Sequence, residues 1–256
     1  MKVITIPCLQ DNYCYLLYDE TSREAALVDP SEAWPVMQVV NDKNLHLKQI
    51  LCTHHHHDHI GGLEDLLDEY QDLEVVGFHE DRSRIAHLTR LVYDDEVLEI
   101  CGTKATVMHT PGHTATSIVF QVGEHLFVGD TLFGAGCGRL FEGTAAQMLH
   151  SLDRIGACAP ASRIYFGHEY TVFNLRFAAQ VEPGNGAIGE RADAVQKLRS
   201  ENKSSAPSTL AEELQTNPFL RVSEPSLADY LGTIGRPAGD RLAVFTEIRE
   251  LRNHFS

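Results

Sequence analysis

The sequence of 256 residues lacks the features that mark membrane and secreted proteins. It contains no run of about 18 apolar residues, which a membrane-spanning helix would need. Its first thirteen residues, MKVITIPCLQDNY, contain no apolar core of the kind found in secretory signal peptides. Its six cysteines form no Cys-x-x-Cys pair. We therefore expect a cytoplasmic protein with reduced, buried thiols and no membrane partner.

Basic residues are also scarce. The 21 Lys and Arg residues are outnumbered by 36 Asp and Glu, so the net charge is −15 with histidine neutral. A chain this acidic repels phosphate backbones, and we expect no nucleic-acid partner. With 43% hydrophobic and 22% charged residues, the composition is that of a globular protein whose length suits a main domain with a smaller appendage.

Short strands and helices are both predicted from the apolar pattern. The strand candidates are rich in β-branched and aromatic residues, and several of them recur at intervals of about 8–12 residues. They cover 3–6, 13–18, 25–28, 49–52, 74–78, 105–109, 117–122, 125–128 and 163–166. Helical spacing is found over 62–70, after a predicted N-cap at Thr144, and over 171–181, 188–203, 210–215 and 241–253. We therefore predict an α/β domain over residues 1–170, followed by a helical region over residues 171–256.

Histidine is the residue in excess. There are 14 histidines, and five of them fall within the six positions from His54 to His59. The run follows a predicted strand, so His54 and His56 project to the same side, and Asp58 and His59 follow as the chain turns. His55 and His57 are out of phase, and we predict packing or supporting roles for them.

Three other predicted strands end in the same way, with His113, Asp130 and His168 beside small residues. The seven donors are thus five imidazoles and two carboxylates, with no thiolate. Seven donors are too many for one four-coordinate ion and suit two ions that share one carboxylate. Imidazole and carboxylate ligands suit zinc, iron or manganese.

Four segments together resemble the metallo-β-lactamase superfamily: Thr53 to His59, which contains its H-x-H-x-D-H motif at 54–59, Pro111 to Thr114, Gly129 to Thr131 and Gly167-His168. Other segments resemble the glyoxalase II, or hydroxyacylglutathione hydrolase, family within it. They are DNY at 11–13, GCGRLFEG at 136–143, HEYT at 168–171, NPFLR at 217–221 and R-x-x-R at 249–252. The resemblance covers essentially the whole chain.

The resemblance implies an αββα sandwich that holds two divalent metal ions, with zinc expected and iron or manganese as alternatives. The first ion would be bound by His54, His56 and His113. The second would be bound by Asp58, His59 and His168, and Asp130 would bridge both. Asp58 would also orient the nucleophile as a catalytic residue.

The resemblance also implies contacts to the glutathione part of a substrate. These would come from Arg139, Phe141, Tyr170, Arg249 and Arg252, with the arginines binding the glycine carboxylate. The family more often has lysine at two of the arginine positions and tyrosine at position 141. It usually has Gly-His where this chain has Thr116-Ser117.

The implied activity is hydrolysis of the S-D-lactoylglutathione thioester by a metal-bound hydroxide, giving glutathione and D-lactate in the second step of methylglyoxal detoxification. We expect a monomer. The alternatives are a glutathione-persulfide dioxygenase with one iron and a superfamily hydrolase that acts on lactones, β-lactams or RNA. A metal-storage protein is the non-enzymatic alternative, although storage segments are usually contiguous.

Overall fold

The computed structural model describes all residues from Met1 to Ser256. The chain divides into two compact units that interleave along the sequence. The first comprises Met1–His109, Thr116–Gly129 and Tyr165–His168, and the second comprises Thr110–Ala115, Asp130–Ile164 and Glu169–Ser256. None of the helices combines the length and apolar character that crossing a lipid bilayer requires. The division predicted after Tyr170 stays a prediction.

The chain contains fourteen strands and nine α-helices. In chain order, the strands are β1 (Lys2–Cys8), β2 (Asn12–Tyr18), β3 (Glu24–Val28), β4 (His46–Leu51), β5 (Glu74–Phe78), β6 (Arg90–Val92), β7 (Val97–Ile100), β8 (Thr103–His109), β9 (Ile118–Val122), β10 (His125–Gly129), β11 (Leu132–Phe133), β12 (Gly136–Cys137), β13 (Arg163–Phe166) and β14 (Ser208–Thr209). The helices are α1 (Ala33–Asp42), α2 (His57–Ile60), α3 (Leu63–Glu69), α4 (Ala145–Gly156), α5 (Thr171–Val181), α6 (Gly186–Ser200), α7 (Leu210–Thr216), α8 (Pro225–Thr233) and α9 (Arg241–His254).

The first unit contains two β-sheets. One has the order β1-β2-β3-β4-β5-β6, with antiparallel pairing from β1 to β3 and parallel pairing from β3 to β6. The other consists of β7, β8, β9 and β10, each antiparallel to the next, and the end of β13 lies beside β10. Parallel neighbours bring their carboxyl ends to one edge of a sheet, and functional groups often gather there.

Apolar side chains hold this unit together. Helices α1 and α3 bury Val36, Val40 and Leu66 in the same cluster as Leu16 and Leu27 of the first sheet. Between the two sheets, the ring of Tyr15 lies 5.7 Å from that of Phe127 and 5.1 Å from that of Tyr165. The result is a layered α/β unit, as predicted.

The second unit is mainly helical. The predicted N-cap at Thr144 is confirmed, because its hydroxyl accepts a hydrogen bond from Gln147 N at the start of α4. Helix α5 has its predicted bounds, whereas α6 ends at Ser200, three residues before the predicted end. Stacked and edge-on contacts among Phe177, Phe219 and Phe245 form part of its core.

Candidate metal centre

One buried carboxylate, that of Asp29, fixes two of the predicted ligands. It accepts hydrogen bonds from Thr53 N at 2.8 Å, from the Thr53 hydroxyl at 2.7 Å and from His59 Nδ1 at 3.0 Å. Because the Thr53 hydroxyl uses its only O–H to donate to Asp29, it accepts a hydrogen bond from His54 Nδ1 at 3.0 Å. Both imidazoles therefore carry a proton on Nδ1, and the lone pair of each neutral ring is on Nε2.

A second carboxylate supports His168 from the hairpin between β1 and β2. Asp11 Oδ1 lies 2.8 Å from His168 Nδ1, which again leaves Nε2 as the acceptor nitrogen of the neutral ring. The neighbouring Asn12 donates through Nδ2 to the backbone oxygen of Asp58 at 3.0 Å and to its Oδ2 at 3.1 Å. The hairpin thus orients two of the predicted ligands.

Three acceptor atoms converge in this unit. His59 Nε2 and His168 Nε2 are 3.2 Å apart, and Asp58 Oδ2 lies 3.7 Å from the first and 3.3 Å from the second. Lone pairs and a negative charge this close repel one another, and a cation among them removes the repulsion. Imidazoles that donate their other N–H to carboxylates are the usual ligands of protein-bound metal ions. Asp58, His59 and His168 therefore fit a divalent metal ion.

His113 and Asp130 form a similar pair in the second unit. His113 Nδ1 donates to the carbonyl oxygen of Arg139 at 2.8 Å, and its Nε2 lies 3.3 Å from Asp130 Oδ2. Gly138 passes so close behind this pair that a Cβ there would collide with the Asp130 carbonyl oxygen. The backbone at Gly138 therefore requires glycine.

The remaining predicted ligands, His54 and His56, lie side by side in the first unit with ring centroids 4.8 Å apart. The set predicted for the first ion also includes His113 and Asp130 of the second unit, and its assembly stays a prediction. Of the two out-of-phase histidines, His57 is exposed at the start of α2, and His55 Nδ1 lies 3.4 Å from Asp81 Oδ1.

Asp81 also explains how this chain accommodates Thr116. The Thr116 hydroxyl donates to Asp81 Oδ1 at 2.8 Å, and the Arg84 guanidinium lies 2.8 Å from the same oxygen. Burial raises the pKa of the Asp81 carboxyl, while Thr116 and Arg84 oppose that rise. The hydroxyl of Thr116, which stands where the family usually has glycine, is thus hydrogen-bonded within a network that also contacts His55. His55 lies between the predicted ligands His54 and His56 in the sequence.

The residues predicted to contact glutathione include an exposed pair in the second unit. Arg139 is exposed, and its guanidinium carbon lies 5.8 Å from the centre of the Phe141 ring. Phe141 is itself 60% exposed and lies edge-on to the His113 imidazole at 5.2 Å. Tyr170 is half-buried, with its ring 5.3 Å from that of Phe133.

The two arginines of α9 have different surroundings. Arg249 is buried, with Nη1 donating to the Cys137 carbonyl oxygen at 2.7 Å and Nη2 to Asn253 Oδ1 at 3.2 Å. Its guanidinium also lies over the Phe219 ring at 5.1 Å. Arg249 therefore ties α9 to β12.

Arg252 is held along one edge only. Its Nε and Nη2 both donate to Asn174 Oδ1, at 3.2 and 2.9 Å, and its guanidinium lies 4.4 Å from the centre of the Phe173 ring. The third nitrogen of this guanidinium group, Nη1, is the one that can still bind a carboxylate. Burial and the nearby charge of Arg249 lower the pKa of Arg252 to about 10, so it stays charged at neutral pH.

Comparison with known proteins agrees with this geometry. Residues 10–168 match the model of the metallo-beta-lactamase superfamily. Among solved structures, a B3 metallo-beta-lactamase, BLEG-1, has a TM-score of 0.67 at 22% identity and covers 86% of this chain and 99% of its own. ETHE1 from Myxococcus xanthus has a TM-score of 0.66 at 25% identity and covers 98% of both chains. Fold and site thus define a protein of the metallo-β-lactamase superfamily.

The C-terminal third of the chain narrows this assignment to one family within the superfamily. Residues 169–255 match the model of the hydroxyacylglutathione hydrolase C-terminus. The hydroxyacylglutathione hydrolase of Methylococcus capsulatus is 42% identical over 100% of this chain and 99% of its own length. The Synechococcus enzyme of the same name is also 42% identical, over the full length of both. The chain belongs to the hydroxyacylglutathione hydrolase family and is accordingly a hydrolase.

Proposed function

We propose that the chain hydrolyses the thioester of S-D-lactoylglutathione to glutathione and D-lactate at a centre of two divalent metal ions, with zinc as the expected metal. The observation that carries this proposal is the convergence of His59 Nε2, His168 Nε2 and Asp58 Oδ2, whose distances lie between 3.2 and 3.7 Å. Relatives at 42% identity carry the matching name over the full chain, which supports this substrate class.

Two ions are proposed because the donors exceed what one ion binds. Asp58, His59 and His168 would hold one ion, and His54, His56 and His113 would hold the other, with Asp130 shared. When bound, such ions lower the pKa of a water molecule toward about 7 and polarise a carbonyl oxygen. The His113–Asp130 distance of 3.3 Å and the His54–His56 ring contact support the second group of ligands.

The side chains of the site would then position the reactants. Asp58 is held by Asn12 and can accept a hydrogen bond from the attacking nucleophile, which fixes its direction toward the thioester carbonyl. The leaving group is a thiolate whose conjugate acid has a pKa of about 8.5, so it departs without protonation. The proposed reaction therefore requires no side chain to act as a general acid.

The proposal is tested by measuring hydrolysis of S-D-lactoylglutathione and the metal content on the same protein sample. We expect two ions per chain, loss of activity on chelation and recovery when zinc is added back. Hydrolysis should proceed without oxygen consumption, which separates it from a persulfide dioxygenase. A fully metallated protein that cleaves no glutathione thioester would contradict the proposal.

Substrate binding is expected to depend on Arg252. An Arg252→Ala variant should raise KM for S-D-lactoylglutathione by about 10-fold to 100-fold with little change in kcat, because a charge-assisted hydrogen bond contributes about 1.5–3 kcal/mol to binding. The steady-state kinetics of the two proteins check this. Arg176→Ala is the matched control, because Arg176 is exposed and lies over the same Phe173 ring at 5.9 Å. Equal KM values in the two variants would assign the carboxylate to another residue.

A further inference from the structure

Two cysteines lie in contact near the metal site. Cys8 is at the end of β1 and Cys14 is in β2, and their Sγ atoms are 3.2 Å apart. In the antiparallel pairing, Cys8 faces Asn12 and Ile6 faces Cys14, so the two cysteines are diagonal neighbours on one face of the sheet. Both side chains are buried in the apolar cluster beneath α1. The other four cysteines are not in contact with a second thiol in this way.

The hydrogen bonds around the pair give the two sulfurs different roles. The Ser31 backbone N–H donates to Cys14 Sγ at 3.2 Å, so Cys14 is an acceptor and Cys8 is placed to donate its S–H to it. Burial opposes ionisation of Cys14, but the hydrogen bonds from Cys8 and Ser31 hold its pKa below the ordinary value. The same contact raises the pKa of the Cys8 thiol. Cys14 is therefore the more nucleophilic sulfur.

The hairpin between these cysteines carries the two residues that orient metal ligands. Asp11 contacts His168 Nδ1 at 2.8 Å, and Asn12 contacts Asp58. A bond between Cys8 and Cys14 would close a ring around Asp11 and Asn12. Residues Pro7, Leu9 and Gln10 at this hairpin are exposed, so opening of the turn admits a small oxidant to the pair.

We propose that Cys8 and Cys14 are a site of reversible oxidation to an intramolecular disulfide by hydrogen peroxide. The Cys14 sulfur attacks one peroxide oxygen, the O–O bond breaks, and a sulfenic acid and one water result. The Cys8 sulfur then attacks the sulfenic sulfur, the S–S bond forms, and a second water leaves. Two thiols thus lose two electrons to the peroxide, and both thiol protons end in water. The sulfurs need to approach by only about 1 Å to reach bonding distance.

The disulfide should weaken metal binding. Forming the bond moves the strand ends that hold Asp11 and Asn12, and loss of such supporting contacts typically lowers metal affinity by 10-fold to 100-fold. We expect the oxidised protein to lose metal to a competing chelator about 10-fold more readily than the reduced protein, and thiol reductant should reverse the change.

The experiment is peroxide titration of the metal-loaded protein, followed by alkylation of free thiols and mass analysis of tryptic peptides. The peptide of residues 3–23 contains Cys8 and Cys14 and no other cysteine. We expect it to become lighter by two hydrogen atoms, to resist alkylation and to regain both thiols after reduction. Cys101 and Cys158, which are half-buried, serve as internal reference thiols.

A Cys8→Ser variant tests whether the disulfide causes the change in metal retention. In Cys8→Ser, the disulfide cannot form, so Cys14 should instead progress to irreversible sulfinic acid, and the reversible change in metal retention should disappear. Alkylation of both Cys8 and Cys14 at peroxide doses that oxidise Cys101 or Cys158 would overturn the proposal. So would a metal-retention change that is equally large in Cys8→Ser. The thiol readout uses neither thioester hydrolysis nor the metal, so it is independent of the proposed function, whereas the metal-retention readout rests on the metal centre proposed above.

Discussion

An Asp58→Asn variant is expected to lose about 10³-fold in kcat/KM for S-D-lactoylglutathione and to retain less metal than the unchanged protein. The substitution keeps the shape of the side chain but removes the charge that faces His59 Nε2 and His168 Nε2. Metal ions contribute several kcal/mol of transition-state stabilisation, and about 4 kcal/mol corresponds to this factor. The same change replaces one carboxylate oxygen by an NH2 donor and leaves only a neutral, weaker acceptor to direct the nucleophile, so kcat should fall more than KM rises.

The measurement needs metal content and kinetics from the same preparations. Asp68→Asn is the matched control, since Asp68 is an exposed carboxylate on α3 of the same unit and contacts none of the site residues named above. We expect the control to match the unchanged protein in both measurements. An Asp58→Asn protein with full metal content and full activity would show that Asp58 is neither a ligand nor an orienting residue.

The candidate metal ligands could be named from the sequence because they fall in short motifs at strand ends. His54 to His59 lie in the segment that leads from β4 into α2, and His113, Asp130 and His168 each follow a strand that the apolar pattern marks clearly. The supporting carboxylates could not be found in this way. Asp29 is 30 positions from His59, and Asp11 is 157 positions from His168, so only the folded chain brings them together. Asp29-Pro30 has the composition of an ordinary turn.

The sequence pattern also failed to predict helices α1 and α8. Helix α1 was not predicted, because its sequence AWPVMQVVND contains an early proline and a valine-rich stretch that favours strands. Its helical pattern rests on Val36 and Val40, which are buried four positions apart against the first sheet. Helix α8 was not predicted either, because it is short and contains Gly232, and glycine has a low helix propensity.

The different roles of Arg249 and Arg252 were equally invisible in the sequence. The resemblance implies that both bind the glycine carboxylate, which stays a prediction. In the structure, Arg249 donates to the Cys137 carbonyl oxygen, and Arg252 donates to Asn174 Oδ1. Residue type and spacing indicate which face of α9 carries the two guanidinium groups. The partners on β12 and α5 determine which guanidinium group still has a nitrogen that can bind a carboxylate.

The largest effect on stability is expected for Glu213, which joins α7 to the rest of the second unit. Its carboxylate accepts hydrogen bonds from Arg191, from Ala135 N at 2.9 Å and from Asn217 Nδ2 at 3.1 Å. Burial alone would lower the pKa of Arg191, but Glu213 raises it, so Arg191 remains charged inside the protein. Removing the carboxylate would leave that charge buried without compensation.

A Glu213→Ala variant is therefore expected to lose about 3–5 kcal/mol of unfolding free energy, the usual cost of breaking a buried ion pair. For a chain of this size, that loss corresponds to a decrease in Tm of about 10 °C. Thermal and denaturant unfolding both measure it, with Glu190→Ala as the control because Glu190 is an exposed glutamate on α6. Ala135 lies in the turn between β11 and β12, so loss of its hydrogen bond should also loosen the strand that Arg249 contacts. If Glu213→Ala and Glu190→Ala unfold at the same temperature, the Arg191 charge is compensated by another group.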